Sequence, residues 1–370
     1  MNARQNHLDA LKALGAQLIV LHHFCNYGPL AEAAHRLAPA LAGWFYDYAR
    51  MAVQVFLVLG GYLAMQGLKP AMRQGSASLG RALLGRYLRL ALPLLAALLL
   101  AMGAALLARQ WLQADFIPAA PRWGQALAHA LLLHDVAGTE ALSAGLWYVA
   151  IDLQLYALLA LLLWLGQRGG RPAPALWLVA ALMLASLLHF NRDERWDIWG
   201  LYFFGSYALG ALAWRAARAQ RPARWLGLLA LAAVLALALE WRTRIAVALG
   251  VALLLGLLQW RGHAAGRLPA RLARPLHTLG RSSYALFLVH FPVLLLGNAL
   301  YARLGQDSLQ AAALWLLLGW LASVALALGF ERWVERPLVR YAALRPALGN
   351  RGSISASASR PVQSTSPRSR

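Results

Sequence analysis

Cysteine is almost absent from this sequence: Cys25 is the single one among 370 residues. One cysteine cannot form an internal disulfide, and it cannot supply a cysteine metal cluster. Charged residues are also scarce, at 13% of the chain, whereas 60% of the residues are hydrophobic. This balance excludes a string of soluble domains and is typical of a protein that crosses a membrane several times.

Ten apolar segments are long enough to cross a bilayer, which needs about 20 mostly apolar residues. They lie near 8–27, 48–68, 87–108, 146–166, 174–190, 198–216, 223–240, 243–260, 282–303 and 311–333. The sequence therefore predicts an all-α membrane protein, a polytopic bundle of about ten transmembrane helices. A basic region followed by a cleavable small-residue site is missing at the N-terminus, so we expect the first helix to be retained.

Acidic residues are the other shortage, with 14 Asp and Glu against 35 Lys and Arg. If the N-terminus lies inside, 26 of the 35 basic residues fall on the inner side, and eleven of the 14 acids fall on the outer side. This is the positive-inside pattern, so we expect both termini to be cytoplasmic. The net charge of +21 is thus explained by orientation and by contact with anionic lipid, not by nucleic-acid binding.

The segments between the spans complete the predicted organisation. The main loops are 28–47 and 109–145 outside and 69–86 inside. The apolar stretch 126–136 is too short to span, and we interpret it as a re-entrant or interfacial helix. Residues 346–370 are rich in Ser, Arg and Pro and are predicted to be a disordered cytoplasmic tail. Residues 1–345 form the predicted transmembrane domain.

The first span contains Asp9, Lys12, His22 and His23. Ionisable groups inside a bilayer are costly, which makes them candidates for function. Lys12 and His23 are eleven residues apart, about three turns and about 16 Å of rise, so their side chains share one helix face. His22 points about 100° away from that face, and we interpret it as structural.

Asp152 on the fourth span is a candidate partner for His23, because both residues lie in the outer halves of their helices. A carboxylate bound to one imidazole nitrogen fixes the tautomer and leaves the other nitrogen free as a base. The alternative is that His23 is a packing histidine and that Asp152 bonds a neighbouring backbone group. His290 lies near the middle of the ninth span, and we expect it to have a packing role. Pro292 should disturb that helix.

Arg86 and Arg89 lie at the inner, entering end of the predicted third span. Residues at i and i+3 are neighbours on one helix face. Two guanidiniums there suit a phosphate, because each can donate a bidentate pair of hydrogen bonds. The alternative is that both are ordinary positive-inside anchors. Lys12 has a similar alternative, as a lysine that reaches the inner surface and pairs with Asp9 at i−3.

Seven segments, in this order, resemble the acyltransferase-3 family of integral membrane acyltransferases, best known as O-acetyltransferases of bacterial surface polysaccharides. They are Lys12 with His23, AVQVFLVLGGYL (52–63), Arg86 with Arg89, Trp147 with Asp152 and Tyr156, YFFGSYALGAL (202–212), SYALFLVHFP (283–292) and FERWVERPL (330–338). The resemblance covers roughly residues 8–341. The family usually has Arg where this chain has Lys12, and Lys keeps the charge but not the planar fork. Gln54 and Gly60 replace the usual acid and serine, so the roles of those two groups cannot be carried over.

The resemblance implies an O-acyltransferase (EC 2.3.1 type) of the bacterial inner membrane. Its donor would be cytoplasmic acyl-CoA, with acetyl-CoA expected, and no bound cofactor or metal is implied. Its acceptor would be an extracytoplasmic polysaccharide or glycolipid, supplied by polysaccharide-assembly machinery. His23 would be the base and Asp152 its orienting partner, while Lys12, Arg86 and Arg89 would hold the coenzyme A phosphates. Trp147, Tyr156 and His290 would belong to the substrate-binding region.

Two other classes of function stay open from the sequence. One is a proton-coupled transporter or flippase of a glycolipid or acyl group, with His23, Asp152 and His290 as a proton relay. The chain offers no clear inverted repeat for this class. The other is the separate family of membrane-bound O-acyltransferases, which also use an intramembrane histidine. The spacing of Lys12 and His23 and the Arg-x-x-Arg element favour the acyltransferase-3 interpretation.

Overall fold

A computed structural model describes residues 3–71, 76–167, 173–262, 269–304 and 308–348, and within these ranges it contains no strand. The α-helices are α1 (Ala3–Phe24), α2 (Gly28–Leu37), α3 (Pro39–Tyr48), α4 (Ala52–Ala71), α5 (Ser76–Ala108), α6 (Trp123–Ala130), α7 (Leu146–Gln167), α8 (Ala173–Leu188), α9 (Gly200–Ala216), α10 (Pro222–Leu239), α11 (Thr243–Arg261), α12 (Ala270–Arg281), α13 (Ser283–Leu304), α14 (Leu309–Phe330) and α15 (Arg336–Leu348). Short 3-10 turns occupy Ala49–Met51, Phe190–Arg192 and Glu194–Trp196, and a π-helical turn, Glu331–Glu335, joins α14 to α15.

Eight helical segments within the described ranges are long and apolar enough to cross a membrane. They coincide with eight of the ten predicted spans. The other two predicted spans are α1, whose polar residues lower its mean hydropathy, and α9, which has only 17 residues. The chain is therefore an all-α polytopic membrane protein, as the hydropathy pattern predicts.

Helix α9 is buried on nearly every side and crosses α4 with the two backbones in contact. A Cβ atom placed on Gly61 would lie 1.8 Å from the carbonyl oxygen of Tyr207, and one placed on Gly210 would lie 2.0 Å from that of Val58. Only glycine fits at either position, and small residues are the usual means of close helix approach in membranes. Because other helices enclose α9, little of its surface has to be apolar in order to face lipid.

The bundle has two apolar clusters. One is centred on α4, α7, α8, α9, α10 and α11, and includes the fully buried side chains of Tyr62, Leu155 and Phe204. The other is centred on α1, α5, α13 and α14, and includes Leu94 and Leu294. Polar side chains at membrane depth are concentrated where α1, α5 and α13 meet α4 and α7. The candidate site lies along this boundary between the two clusters.

Two local predictions are wrong, those for the loop 69–86 and for Pro292. Helix α5 begins at Ser76, so most of the predicted inner loop 69–86 is helical, although residues 72–75 lie outside the described ranges. Helix α13 continues through Pro292. Proline is accepted inside a transmembrane helix because neighbouring groups can satisfy the backbone carbonyl that loses its hydrogen bond. Helix α15 reaches Leu348, so the first three residues of the predicted tail are helical, and the rest of that tail lies outside the described residues.

The long loop 109–145, predicted to lie outside, folds back along α5. The hydroxyl of Tyr87 donates a 2.8 Å hydrogen bond to the carbonyl oxygen of Ala130 at the end of α6. Tyr87 lies about 30 Å before the outer end of α5 by helical rise. The side chains of Trp123 and Leu127 on α6 are 93% and 60% exposed. The end of α6 therefore lies beside the N-terminal third of α5.

Candidate active site

The buried histidine of α1 is paired with the buried histidine of α13. Nδ1 of His23 lies 2.6 Å from Nε2 of His290. His290 is completely buried and His23 is 9% exposed. The sequence prediction that His290 has a packing role is therefore incomplete, since its ring contacts the candidate base directly.

The hydrogen bonds of this pair determine which nitrogen carries the proton. Nδ1 of His290 lies 3.0 Å from the carbonyl oxygen of Leu286, which can only accept, so that Nδ1 is the donor. Burial disfavours a charged imidazole, so Nε2 of His290 is an acceptor and His23 donates from Nδ1. Nε2 of His23 is then unprotonated, and within the described residues it has no hydrogen-bond partner. This is the arrangement of a general base oriented by a second group.

Asp152 does not take the place that the sequence analysis gave it. Its carboxylate accepts hydrogen bonds from Nε and from a terminal nitrogen of Arg86, at 3.0 and 2.5 Å. Arg86 lies ten residues after the start of α5, about 15 Å along the helix. Asp152 therefore pairs with Arg86, while His23 pairs with His290.

A cavity of about 160 Å³ lies beside this ion pair, between α1, α4, α5, α7 and α13. Its lining includes Arg86, Asp152, Arg89 and Glu335 together with apolar residues of these helices. Arg89 is exposed and makes no hydrogen bond or ion pair among the described residues. Arg89 is thus the cationic group of the cavity that is available to a ligand, whereas Arg86 is already paired.

Two tyrosines of the cavity differ in how their hydroxyls are bound. Tyr284 donates a 2.9 Å hydrogen bond to the carbonyl oxygen of Leu90. The hydroxyl of Tyr148 has no hydrogen-bond partner within the described part of the chain. Tyr148 is also the residue that packs against Phe287, with ring centroids 5.5 Å apart. A free hydroxyl donor therefore lines the cavity close to α13.

Phe287 lies next to both the cavity and the histidine pair. Its ring lines the cavity and its centroid lies 6.4 Å from that of His290. Ile19, which also lines the cavity, is one helical turn before His23 on α1. The histidine pair therefore lies immediately beyond the cavity wall, toward the end of α1 that is predicted to be outside.

The other predicted site residues lie around the cavity rather than in it. Lys12 is paired with Asp9 at 3.7 Å, and Asp9 also binds Nδ1 of His277 at 2.7 Å. This pairing agrees with the alternative given for Lys12 in the sequence analysis. The guanidinium carbon of Arg86 lies 5.2 Å from the ring centroid of Tyr156, in a cation–π contact.

Trp147 stacks on Phe203, with centroids 5.5 Å apart, and does not line the cavity. The structure adds Tyr148, Phe287 and Glu335, which sequence reasoning missed. Glu335 has a buried carboxylate oxygen, Oε2, without a hydrogen-bond partner in the described residues. Glu335 could have been found from the sequence because it lies in the segment FERWVERPL (330–338). Tyr148 could have been found because it directly follows Trp147, which the resemblance singled out.

The described part of the chain brings no three His, Cys, Asp or Glu side chains together in a group that could hold a metal ion. Gly60 faces Asp152, with a built Cβ atom 3.5 Å from Oδ1, and Gln54 accepts a 2.7 Å hydrogen bond from Ser206. Of the two departures from the family pattern, Gly60 therefore lies beside the site, and Gln54 lies in the neighbouring α4–α9 contact.

A comparison with protein families finds that the model described as acyltransferase domain, for acyltransferase-3, matches residues 5–332. This range contains every helix from which the histidine pair and the ion pair are built. No curated protein and no solved structure matches the chain.

Proposed function

The chain belongs to the acyltransferase-3 family and is a membrane acyltransferase, and from this premise we propose its donor, acceptor and mechanism. The donor is acyl-CoA, specifically acetyl-CoA, on the predicted cytoplasmic side. The acceptor is a hydroxyl of a saccharide on the other side of a bacterial inner membrane, delivered by polysaccharide-assembly machinery. The observation that carries this proposal is the unpartnered Nε2 of His23, held by the hydrogen bond to His290.

Arg89 is the proposed contact for the coenzyme A phosphates, because its guanidinium is exposed and unpaired among the described residues. Each charge-assisted contact to a phosphate is worth roughly 1.5–3 kcal/mol. The cavity then admits the pantetheine arm, which carries the thioester past the Arg86–Asp152 pair. The original assignment of Arg86 and Lys12 to the phosphates loses support, because a carboxylate already binds each of them.

The chemical step uses the histidine pair. Nε2 of His23 takes the proton from the acceptor hydroxyl, and the oxygen attacks the thioester carbonyl carbon. The carbon–oxygen bond forms, the carbon–sulfur bond breaks, and the thiolate of coenzyme A takes the proton back from His23. His290 accepts the Nδ1 hydrogen of His23 throughout and stabilises the imidazolium that forms. Tyr148 is the proposed donor to the developing oxyanion, since its hydroxyl is unpartnered within the described residues.

The thioester and His23 meet only if Phe287 moves. The ring of Phe287 has its centroid 5.5 Å from that of Tyr148 and 6.4 Å from that of His290, and a change of its side-chain rotamer opens this space on a fast timescale. The same movement joins the inner cavity to the side from which the acceptor arrives. The proposal therefore includes Phe287 as the residue that separates donor and acceptor before the reaction.

The direct test is release of free coenzyme A by the purified protein, given acetyl-CoA and a glycan acceptor. His23→Ala should lower turnover by about 10²–10⁴-fold, the usual contribution of a general base. His189→Ala, at an exposed histidine beyond α8, is the matched control and should behave like wild type. Acyl transfer by His23→Ala at more than about a tenth of the wild-type rate would remove His23 from the mechanism. Movement of a glycolipid without coenzyme A release would instead indicate the transporter alternative.

A further inference from the structure

A second cavity, here called the outer cavity, lies near the C-terminal end of α1, among α1, α2, α3 and α14, and has a volume of about 140 Å³. Its walls are apolar side chains, and no charged residue is among them. The main contributors are Leu21, Phe24, Cys25, Ala42, Phe45 and Trp320. Apolar cavities of about 150 Å³ in proteins stay dry and bind small apolar molecules. A cavity of this size and lining therefore suits a segment of one hydrocarbon chain.

The polar atoms of the wall residues are bound outside the cavity. His22 donates from Nδ1 to the carbonyl oxygen of Phe45 at 3.2 Å. His35 donates from Nε2 to the carbonyl oxygen of Cys25, also at 3.2 Å. The indole N–H of Trp320 donates to the side chain of Gln17 at 2.7 Å. These three bonds leave no polar group of those wall residues to attract water into the cavity.

Helix α3 places this cavity at the boundary between lipid chains and headgroups. Leu41, Trp44 and Tyr48 are 56%, 48% and 53% exposed along this ten-residue helix. Exposed Trp and Tyr on a membrane protein mark the interface between hydrocarbon and water. Leu41 also lines the cavity, so the cavity is adjacent to surface that contacts lipid.

The two cavities share no lining residue. The first cavity, here called the inner cavity, is the one proposed for the pantetheine arm, so the outer cavity is a separate space. Leu21 and Phe24 of the outer cavity, however, flank His23 on α1. A lipid whose chain fills the outer cavity would therefore hold its headgroup beside the proposed base.

We propose that the outer cavity binds the hydrocarbon anchor of a lipid-linked glycan acceptor. This inference rests on the proposed function, since it names the substrate class of the same site. The anchor holds the glycan at the membrane surface, so that its hydroxyl meets His23 without diffusing from solution. One chain segment enters the cavity, and the rest of the chain stays in the bilayer.

The first arm of the test reads binding without catalysis. A glycolipid with a diazirine near the head of its alkyl chain is photo-crosslinked to the protein in nanodiscs, and labelled peptides are mapped by mass spectrometry. Peptides containing Cys25 and Ala42 should be labelled. Ala42→Phe fills the cavity, because Ala42 is a buried lining residue, and should lower this labelling about tenfold. Ala40→Phe, at an exposed position of the same helix, should leave it unchanged.

The second arm identifies the source of the chain. A diazirine phospholipid without a glycan should label these peptides weakly and should be displaced by the glycolipid. In acyl-transfer assays Ala42→Phe should raise the KM for the lipid-linked acceptor about tenfold and leave the KM for the same glycan without lipid unchanged. Equal labelling by phospholipid and glycolipid, or an unchanged KM in Ala42→Phe, would overturn the proposal. Specific glycolipid labelling in a protein that transfers no acyl group would refute the proposed function alone.

Discussion

Nδ1 of His23 and Nε2 of His290 lie 2.6 Å apart, although 267 residues separate them in the chain. The contact joins α1 to α13 within the second apolar cluster of the bundle. It makes the protonation pattern of His23 depend on His290 and, through His290, on the carbonyl of Leu286. His290 is therefore a positioning residue for the proposed base.

Replacing His290 should separate this role from simple packing. His290→Phe keeps a ring of similar shape but offers no acceptor to Nδ1 of His23, so turnover should fall by about 10- to 100-fold. His290→Gln offers a carbonyl oxygen in its place and should recover part of the loss. The KM values of both substrates should change little, and stability in detergent should stay near that of wild type. If Gln and Phe variants are equally impaired, the role of His290 is packing.

Arg86 and Arg89 are neighbours on α5 with different expected roles. Arg86→Ala leaves the buried carboxylate of Asp152 unpaired and should lower stability by about 3–5 kcal/mol. The double variant Arg86→Gln with Asp152→Asn removes both charges and should restore folding. Arg89→Ala should fold normally and raise the donor KM about 10- to 150-fold.

Arg89→Lys should recover only part of the donor affinity, because the ammonium lacks the planar fork. The measurements are thermal unfolding in detergent and the KM of acyl-CoA and of the acceptor. An unchanged donor KM in a well-folded Arg89→Ala variant would show that Arg89 is an orientation anchor.

Hydropathy predicts the spans well because membrane depth imposes composition along the chain. The pairing of side chains between helices follows a different rule and carries no local signal. His23 has suitable partners in both Asp152 and His290, and only the packing of α1 against α13 decides between them. Asp152 likewise has candidate partners in both His23 and Arg86, and only the packing of α5 against α7 makes Arg86 its partner.

The hydroxyls of Tyr148 and Tyr284 offer a matched pair of substitutions in one cavity. Tyr148→Phe should lower turnover by about 10²–10³-fold if its hydroxyl supports the oxyanion. Tyr284→Phe removes the hydrogen bond to Leu90 and should cost about 1 kcal/mol of stability with little loss of turnover. Both variants are compared by kcat at saturating donor and by thermal unfolding. Similar kcat values for the two would exclude Tyr148 as the oxyanion donor.

The orientation of the bundle is open to a labelling experiment. With Cys25 changed to Ala, a single cysteine is introduced at position 118 or 138, predicted outside, or at 75 or 355, predicted inside. A membrane-impermeant thiol reagent applied to intact cells should label the first two and spare the last two. Labelling at position 75 from outside would reverse the side of the cavity and remove the argument for cytoplasmic acyl-CoA.

The outer loop contains a pair of stacked histidines whose environment predicts a pH dependence of stability. The rings of His129 and His134 lie 4.4 Å apart, and both side chains are completely buried. His129 is hydrogen-bonded to the backbone at Gln125 and Leu142, whereas both ring nitrogens of His134 lack a hydrogen bond within the described residues. Burial lowers the pKa of His134 from 6.5 to about 4, with a smaller contribution from His129. Burial also lowers the pKa of His129.

Because the folded pKa of His134 is below the unfolded value, the unfolded chain binds more protons between pH 6.5 and about 4. Stability should therefore be complete above about pH 6.5, fall as the pH decreases toward about 4, and level off below it. Burial raises the pKa of the adjacent Asp135 carboxyl, and its contribution has the opposite sign. The difference in Tm between wild type and His134→Phe reports the histidine together with its 3.5 Å contact to the Asp135 carboxylate. The Tm of wild type should fall relative to that of His134→Phe as the pH falls from 7 to 4. A difference in Tm that does not depend on pH would show that His134 has the same pKa in the folded and unfolded states.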